Sequence, residues 1–265
     1  MSGVAKNVST RNAAFQQWQA LLTNRTKRQR SGEFLVQGVR PITLAVEHGW
    51  EIRILLHTGR PGSRWAEALL RDHDQAVLSE ELMRELGEKD AQELIAVVGL
   101  PEDRLDRIPD APDQLVVVFD RPSTPGNIGT LIRSADAFGA HGVIVTGHAA
   151  DPYDPRAVRA STGSLFAIPV VRAPSHREVL DWAAGRIVAT DEHGDTDVAD
   201  ADLTGRTVVL IGNETTGLSS AWRDAAHQTV RIPITGAASS LNAATAGTVV
   251  LYEAARQRKA GRAGV

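Results

Sequence analysis

Three polar stretches carry the side chains that could do chemistry: DRPSTPGNIGTLIR (residues 120–133), GNETTGLSS (212–220) and TGAASSLNAATAG (235–247). Each follows an apolar run. In the first, Asn127 opens a helical pattern whose apolar positions Ile128, Leu131, Ile132, Ala135 and Phe138 recur at helix spacing, and Arg133 falls in its second turn. Taken alone, Arg133 reads as a surface cation. In the second, Gly212 permits close approach of a ligand to the backbone. Glu214 there is either an exposed loop acid or a carboxylate fixing a partner arginine inside a site. In the third, Ser239, Ser240 and Asn242 gather at a helix start, where a side-chain oxygen can cap first-turn amides or serve a ligand. Ala243, Ala244, Ala246 and Gly247 behind them allow close backbone packing.

Several chemistries are excluded by what is missing. The chain has no cysteine, so thiolate catalysis and cysteine-held metals fall away, and its eight histidines form no ligand-spaced cluster. No metal is therefore expected. Gly126 and Gly129 do not make the dinucleotide fingerprint G-x-G-x-x-G, and there is no P-loop.

The elements that must position these residues show in the hydropathy pattern. NAAFQQWQALL reads as an amphipathic helix and NRTKRQRSGE as a polar connection. The strand FLVQG follows, then the alternation RPITLAVEHG (helix), EIRILLHT (strand), SRWAEALLRDH (helix), QAVLS (strand), EELMRELG (helix) and ELIAVVGL (strand). PEDRLDRIPDAPDQ, rich in Pro and Asp, marks a linker with the boundary near residues 101–113. Beyond it the runs LVVVFD, GVIVTG, IPVVR, RIVATDE, TVVLIG and VRIPI alternate with helical patterns starting near Asn127, Pro155, Arg177, Ser219 and Leu241. Continuous apolar strands separated by helix-length segments indicate an α/β fold with a parallel sheet buried on both faces, whose ligands bind at the carboxyl ends of the strands. There is no internal repeat.

Net charge is only −3, but the first forty residues hold Lys6, Arg11, Arg25, Lys27, Arg28, Arg30 and Arg40 against the single acid Glu33, a local balance of +6. That segment is either a flexible basic arm or a phosphate-contacting surface that adds affinity without reading sequence. Arg156 and Arg159 in YDPRAVRASTGS belong either to a solvated helix face or to the same nucleic-acid contact. No apolar run approaches the roughly 20 residues of a membrane-spanning helix, and the N-terminal stretch lacks a signal-peptide pattern. The expected location is the cytoplasm, with no membrane partner.

In order and spacing, N-x-G-x-x-x-R, then I-G-N-E-x-x-G-L, then I-P-x-x-G-x-x-S-S-L-N resemble the three motifs of the SpoU (TrmH) branch of the SPOUT RNA methyltransferases. The resemblance covers residues from about Leu115 to Arg258, and the basic N-terminal part is similar to the L30e-like RNA-binding domain that commonly precedes this fold. It implies a catalytic domain over 113–265 with a C-terminal trefoil knot, a substrate-binding domain over 1–105, and a homodimer. It also implies S-adenosylmethionine as cofactor, held by Thr190, Gly212, Ile232 and Leu241, and ribosomal RNA contacts from Arg25, Lys27, Arg28, Arg30 and Arg159. The catalytic set by motif match is Arg133, Asn127, Glu214, Ser240 and Asn242. The implied reaction is 2′-O-methylation of 23S rRNA at a uridine, of the kind that confers resistance to a ribosome-targeting antibiotic such as avilamycin. The alternatives are a housekeeping tRNA or rRNA 2′-O-methyltransferase of the same family and a catalytically silent RNA-binding module. The resemblance implies a general-base role for Arg133, but because a guanidinium holds its proton strongly, physical chemistry favours a group that grips phosphate and stabilises a developing oxyanion.

Overall fold

Short apolar runs closed by turn residues become strands here, and polar caps start most of the helices between them. The computed structural model describes residues 5–60, 62–87 and 92–263. Two units result, one from Met1–Pro101 with Tyr153–Ala167, the other from Glu102–Pro152 with Ile168–Val265. This departs from the expected division: a fifteen-residue segment from the middle of the chain belongs to the N-terminal unit.

The first unit runs β1 (Ala5–Val8), α1 (Ala13–Thr23), α2 (Arg25–Ser31), β2 (Glu33–Gln37), α3 (Val39–Glu47), β3 (Ile52–His57), α4 (Arg64–Asp72), β4 (Gln75–Leu78), α5 (Glu80–Leu86) and β5 (Ile95–Gly99). Its sheet has the order β1-β4-β3-β5-β2, with β5 antiparallel to both neighbours. The stretch expected as a polar connection is instead the helix α2. Asn24 caps it by accepting the Lys27 amide at 3.0 Å, and Gly32, at φ 64°, ends it. The returning segment supplies α7 (Pro155–Ser161) and α8 (Ser164–Ala167). It brings Tyr153 and Phe166 against Phe34, with ring centroids 5.0 and 6.2 Å away, and the Trp50 indole donates to the Phe166 carbonyl at 3.1 Å.

Arg28 requires a correction. Its side chain is 2% exposed, donates to the Leu21 carbonyl at 2.6 Å and lies 3.8 Å from the Asp154 carboxylate. A cation so enclosed ties α1 and α2 to the start of α7 and offers nothing to a phosphate; helix periodicity turns it inward while Arg25, Lys27 and Arg30 stay exposed.

The second unit carries β6 (Leu115–Asp120), α6 (Pro125–Ala137), β7 (Gly142–Thr146), β8 (Val170–Ala173), α9 (His176–Trp182), β9 (Arg186–Thr190), β10 (Thr196–Asp197), β11 (Thr207–Ile211), α10 (Ser220–Ala225), β12 (Gln228–Arg231) and α11 (Ala243–Ala263). Its seven strands pair in the order β10-β12-β9-β11-β6-β7-β8, every pairing parallel, so the strand direction expected from the apolar runs is the one observed. One face packs Val116, Val118, Ile144, Val208 and Leu210 against Val179 of α9 and Trp222 of α10. On the other face α11 lies close to α6 and β11: a Cβ on Gly247 would fall 2.5 Å from Leu131 Cδ1, and the Ser134 and Thr248 hydroxyls meet at 2.7 Å.

The expected linker is part of this unit. Leu105 and Ile108 are buried in its core, and Asp103 accepts the Arg172 amide at 3.0 Å and its Nε at 2.8 Å. The run VRIPI is only half strand: β12 stops at Arg231, which leaves Ile232-Pro233-Ile234 in the following loop. Among the described residues no helix is long and apolar enough to cross a membrane.

The enclosure of Arg28 has a measurable consequence. Arg28→Ala strands a buried carbonyl and a half-buried carboxylate, and is expected to cost about 1–3 kcal/mol of stability, read as a lower Tm. Lys27→Ala, at an exposed position of the same helix, should change stability by no more than about 0.5 kcal/mol.

Candidate functional site

β6 and β11 lie side by side in parallel, so the loops leaving their carboxyl ends meet. The β11 loop places Glu214 over the first turn of α6. Its Oε2 accepts the Ser123 amide and hydroxyl, each at 3.0 Å, and its Oε1 accepts the Thr124 amide at 3.2 Å and Asn127 Nδ2 at 2.9 Å. Thr124 is the N-cap residue of α6 and its own side chain makes no capping bond; Glu214, from a distant point in the chain, satisfies the Thr124 amide and the Asn127 side-chain amide. Burial pushes the Glu214 carboxyl up, but the bonds from Ser123 and Asn127 outweigh it and hold the group below its ordinary value. Glu214 therefore grips a helix start, where sequence alone left open an arginine partner.

The third loop joins the same chain of bonds. Asn242 Nδ2 donates to Asn127 Oδ1 at 3.1 Å, while its own Oδ1 accepts the Ala244 and Thr245 amides at 3.0 and 3.2 Å at the start of α11. Asn242 is thus a cap and a link at once. The relay Asn242–Asn127–Glu214 connects all three polar stretches.

Beside this relay the carboxyl ends of β9, β11 and β12 border a cleft of about 280 Å³. Thr190, Gly212, Ile232 and Leu241 all line it, with Ser240, Glu214 and the apolar Ile211, Val230 and Ile234. Ile234 and Leu241 are each 37% exposed, large apolar groups facing an open cleft. The lining also includes Asp191 and Glu192 and no lysine or arginine, so the cleft is acidic. Gly212, besides lining the cleft, has a packing role: a Cβ there would lie 2.5 Å from the Gly217 carbonyl carbon and 2.6 Å from the Leu218 amide. What approaches Gly212 closely is the returning strand of its own loop.

Arg133 does not line the cleft. It is exposed on α6 and makes no hydrogen bond or ion pair among the described residues. Arg25, Lys27, Arg30 and Arg159 are exposed on the first unit, Arg159 beside a small pit with Leu35, Gln37, Pro155 and Val158. Arg11, from the same basic segment, is paired with Glu81 and Glu85. No group of three or more potential metal ligands occurs among the described residues.

Two residues outside the matched motifs, Asp120 and Arg121, shape the site together with Asn213 of the I-G-N-E motif. Asp120 is 2% exposed at the end of a wholly apolar strand, Arg121 holds φ 51°, and Asn213 folds the β11 loop by accepting the Thr215 and Thr216 amides at 2.9 and 3.0 Å. A buried acid closing the run LVVVF was the available signal.

Residues 114–252 match the SpoU rRNA Methylase family and residues 12–96 the SpoU L30e-like domain. The chain is 59% identical over 271 residues to a 23S rRNA (uridine(2479)-2'-O)-methyltransferase of Streptomyces viridochromogenes, covering 97% of this chain and 94% of that one. In structure it resembles the SpoU methyltransferase AviRb of the same species in complex with AdoMet, with a TM-score of 0.90 at 59% identity over 94% of this chain and 99% of that one. An AdoMet-bound rRNA methyltransferase from Sinorhizobium meliloti gives a TM-score of 0.85 at 32% identity, over 95% and 98% of the two chains.

The depressed Glu214 carboxyl sets a pH test. A group held below its ordinary value in the folded state stabilises the fold fully above that value and loses the contribution as pH falls through its folded one. Unfolding followed by denaturant from neutral pH into the acid range should show this limb in the native protein. Glu214→Gln should be less stable at neutral pH and lack that part of the slope.

Proposed function

The chain belongs to the SpoU rRNA methylase family, and from that premise we propose that it is an S-adenosylmethionine-dependent 2′-O-methyltransferase acting on a uridine of 23S rRNA, the substrate class named for its Streptomyces viridochromogenes relative. The observation that carries this reading is the relay Asn242–Asn127–Glu214, which gathers the three polar stretches at one acidic cleft. The residues present fit the cofactor. Ile211, Val230, Ile232 and Leu241 suit the faces of an adenine, and Asp191, Glu192 and Glu214 suit the positive charge of a sulfonium and an ammonium. When bound, S-adenosylmethionine supplies a methyl group on a sulfonium, an electrophile that needs no metal.

The protein's own residues then have three tasks. Thr190, Gly212, Ile232 and Leu241 hold the cofactor side of the reaction, and backbone groups at the strand ends do most of the polar work there. Asn127, Glu214 and Asn242 keep the loops in register, so that orientation, worth several kcal/mol of barrier, is set before substrate arrives, and Ser240 offers its hydroxyl on the cleft wall. Arg133, exposed and without an internal partner among the described residues, is the cation available to a phosphate and to a ribose oxygen that gains negative charge as its proton passes to water. It acts with its guanidinium protonated throughout. On the first unit Arg25, Lys27, Arg30 and Arg159 are the candidate phosphate contacts; Arg28 is not.

The same reading carries a trefoil knot at the C-terminal segment, a homodimer and a cytoplasmic site of action, and a protective role against an antibiotic such as avilamycin. The decisive experiment uses labelled S-adenosylmethionine and 23S rRNA, with the modified position mapped by the arrest of reverse transcription at a 2′-O-methyl group. Label on a single uridine is expected, and no label on any RNA would remove the enzyme reading. Arg133→Ala should reduce methyl transfer at least about a hundredfold, the scale of losing one transition-state charge partner, with cofactor affinity nearly unchanged. Arg133→Lys should recover little, since one ammonium cannot reproduce a planar fork.

A further inference from the structure

We propose that Asp120 and Arg121 are positioning residues that lock the loop 212–219, one wall of the cleft, in the form that accepts the cofactor. This rests on the reading of the cleft as the S-adenosylmethionine site. Neither residue lines the cleft, and neither belongs to the three polar motifs by which the family resemblance was drawn.

The loop leaves β11 at Gly212 and closes on itself through a pair of backbone bonds, Asn213 N to Gly217 O and Gly217 N to Asn213 O, each at 3.1 Å. Two such bonds on a glycine-ended turn do not fix its position against the rest of the unit. Glu214 fastens it to the start of α6, and the Asp120–Arg121 pair fixes it at three further points. Asn213 Nδ2 donates to the Arg121 carbonyl at 2.7 Å, Arg121 Nη2 donates to the Gly217 carbonyl at 3.0 Å, and the Ser219 amide donates to Asp120 Oδ2 at 2.9 Å. The two residues are also joined to each other, Arg121 Nε to Asp120 Oδ2 at 3.1 Å, and Asp120 Oδ1 accepts the Thr146 hydroxyl at 3.2 Å. Both ends and the middle of the loop are therefore fastened to one dipeptide at the end of β6.

The geometry needed for this is unfavourable to an ordinary side chain. Arg121 sits at φ 51°, a left-handed conformation that glycine adopts at no cost and arginine does not. The backbone turn sends the side chain back toward its own neighbour, so the guanidinium fork spans Asp120 and Gly217 together. Room for its stem comes from Gly147, where a Cβ would fall 2.6 Å from Arg121 Cγ. A lysine has no second nitrogen with which to bridge the carboxylate and the carbonyl.

Consequences for the cleft follow from its lining, since Gly212, Asn213, Glu214, Thr215 and Gly217 all belong to this loop. A loop that sampled other positions would bind cofactor in proportion to the time spent in the competent one. The lock should thus appear in cofactor affinity and leave the chemical step at saturating cofactor alone.

Arg121→Gly tests this, because it removes the fork and keeps the left-handed backbone, so the turn itself is not strained. Amide hydrogen exchange on the cofactor-free protein should show the amides of residues 215–219 exchanging at least about tenfold faster, the scale of losing a hydrogen bond to a charged group, with the strands of the same unit unchanged. In steady-state methylation, KM for S-adenosylmethionine should rise about tenfold with kcat within about twofold and KM for rRNA unaltered. Arg121→Lys should resemble Arg121→Gly in both measurements. Unchanged exchange, or faster exchange spread over the whole unit, would overturn the lock. A fall in kcat or a rise in the rRNA KM, with cofactor KM constant, would make Arg121 a substrate contact and overturn its positioning role. If the native protein binds no S-adenosylmethionine while the exchange result holds, the cofactor reading fails and the lock's assigned purpose with it; the hydrogen-bond lock alone survives.

Discussion

A carboxylate that reaches back to the first turn of a helix far from it in sequence must be brought there by backbone, and everything near the cleft is arranged around that reach. Glu214 takes donors from Ser123, Thr124 and Asn127, all on the β6 side, and through Asn127 it touches the start of α11. Three loops that the sheet only brings into proximity are thereby held to one geometry. The position is electrostatically apt, since the unpaired amides and the dipole of a helix start favour negative charge. A neutral isostere would keep the shape and lose that attraction.

The second unit divides its charges by place. The cleft lining has three carboxylates and no basic side chain, while Arg133 stands exposed outside it. A cationic small molecule would be drawn to the cleft and a polyanionic partner repelled from it, while the exposed guanidinium offers the opposite charge elsewhere on the same domain. On the first unit, taken by itself, Lys27 and Arg30 are exposed. Net charge near zero is the sum of these opposed fields.

The parallel sheet was legible because strands buried on both faces leave continuous apolar runs, and LVVVFD, GVIVTG and TVVLIG mark β6, β7 and β11 with little ambiguity. The helix α2 was hidden by its composition: seven residues, RTKRQRS, carry no apolar stripe, and only the Asn24 cap and Gly32 stop signalled it. Residue types in the site were readable, but partners were not. Glu214 stood out as an acid, yet nothing local says that its donors lie some ninety positions earlier. Gly212 announced a close approach without saying what approaches. Arg28 and Lys27 are adjacent in one basic run, and only helix phase and the Asp154 contributed from another segment decide that one is enclosed and the other solvated.

That remote segment, Tyr153–Ala167, ties the order of synthesis to the order of folding. When residue 101 has been made, Phe34 and Trp50 still lack Tyr153, Phe166 and the carbonyl that receives the indole, and Arg28 lacks Asp154. The nascent N-terminal unit must wait on the ribosome with an aromatic cluster uncovered until residue 167 has emerged, by which time β6 and β7 have already been produced. The two units mature together, and a gene cut at the apparent boundary would yield a half that cannot finish its own core.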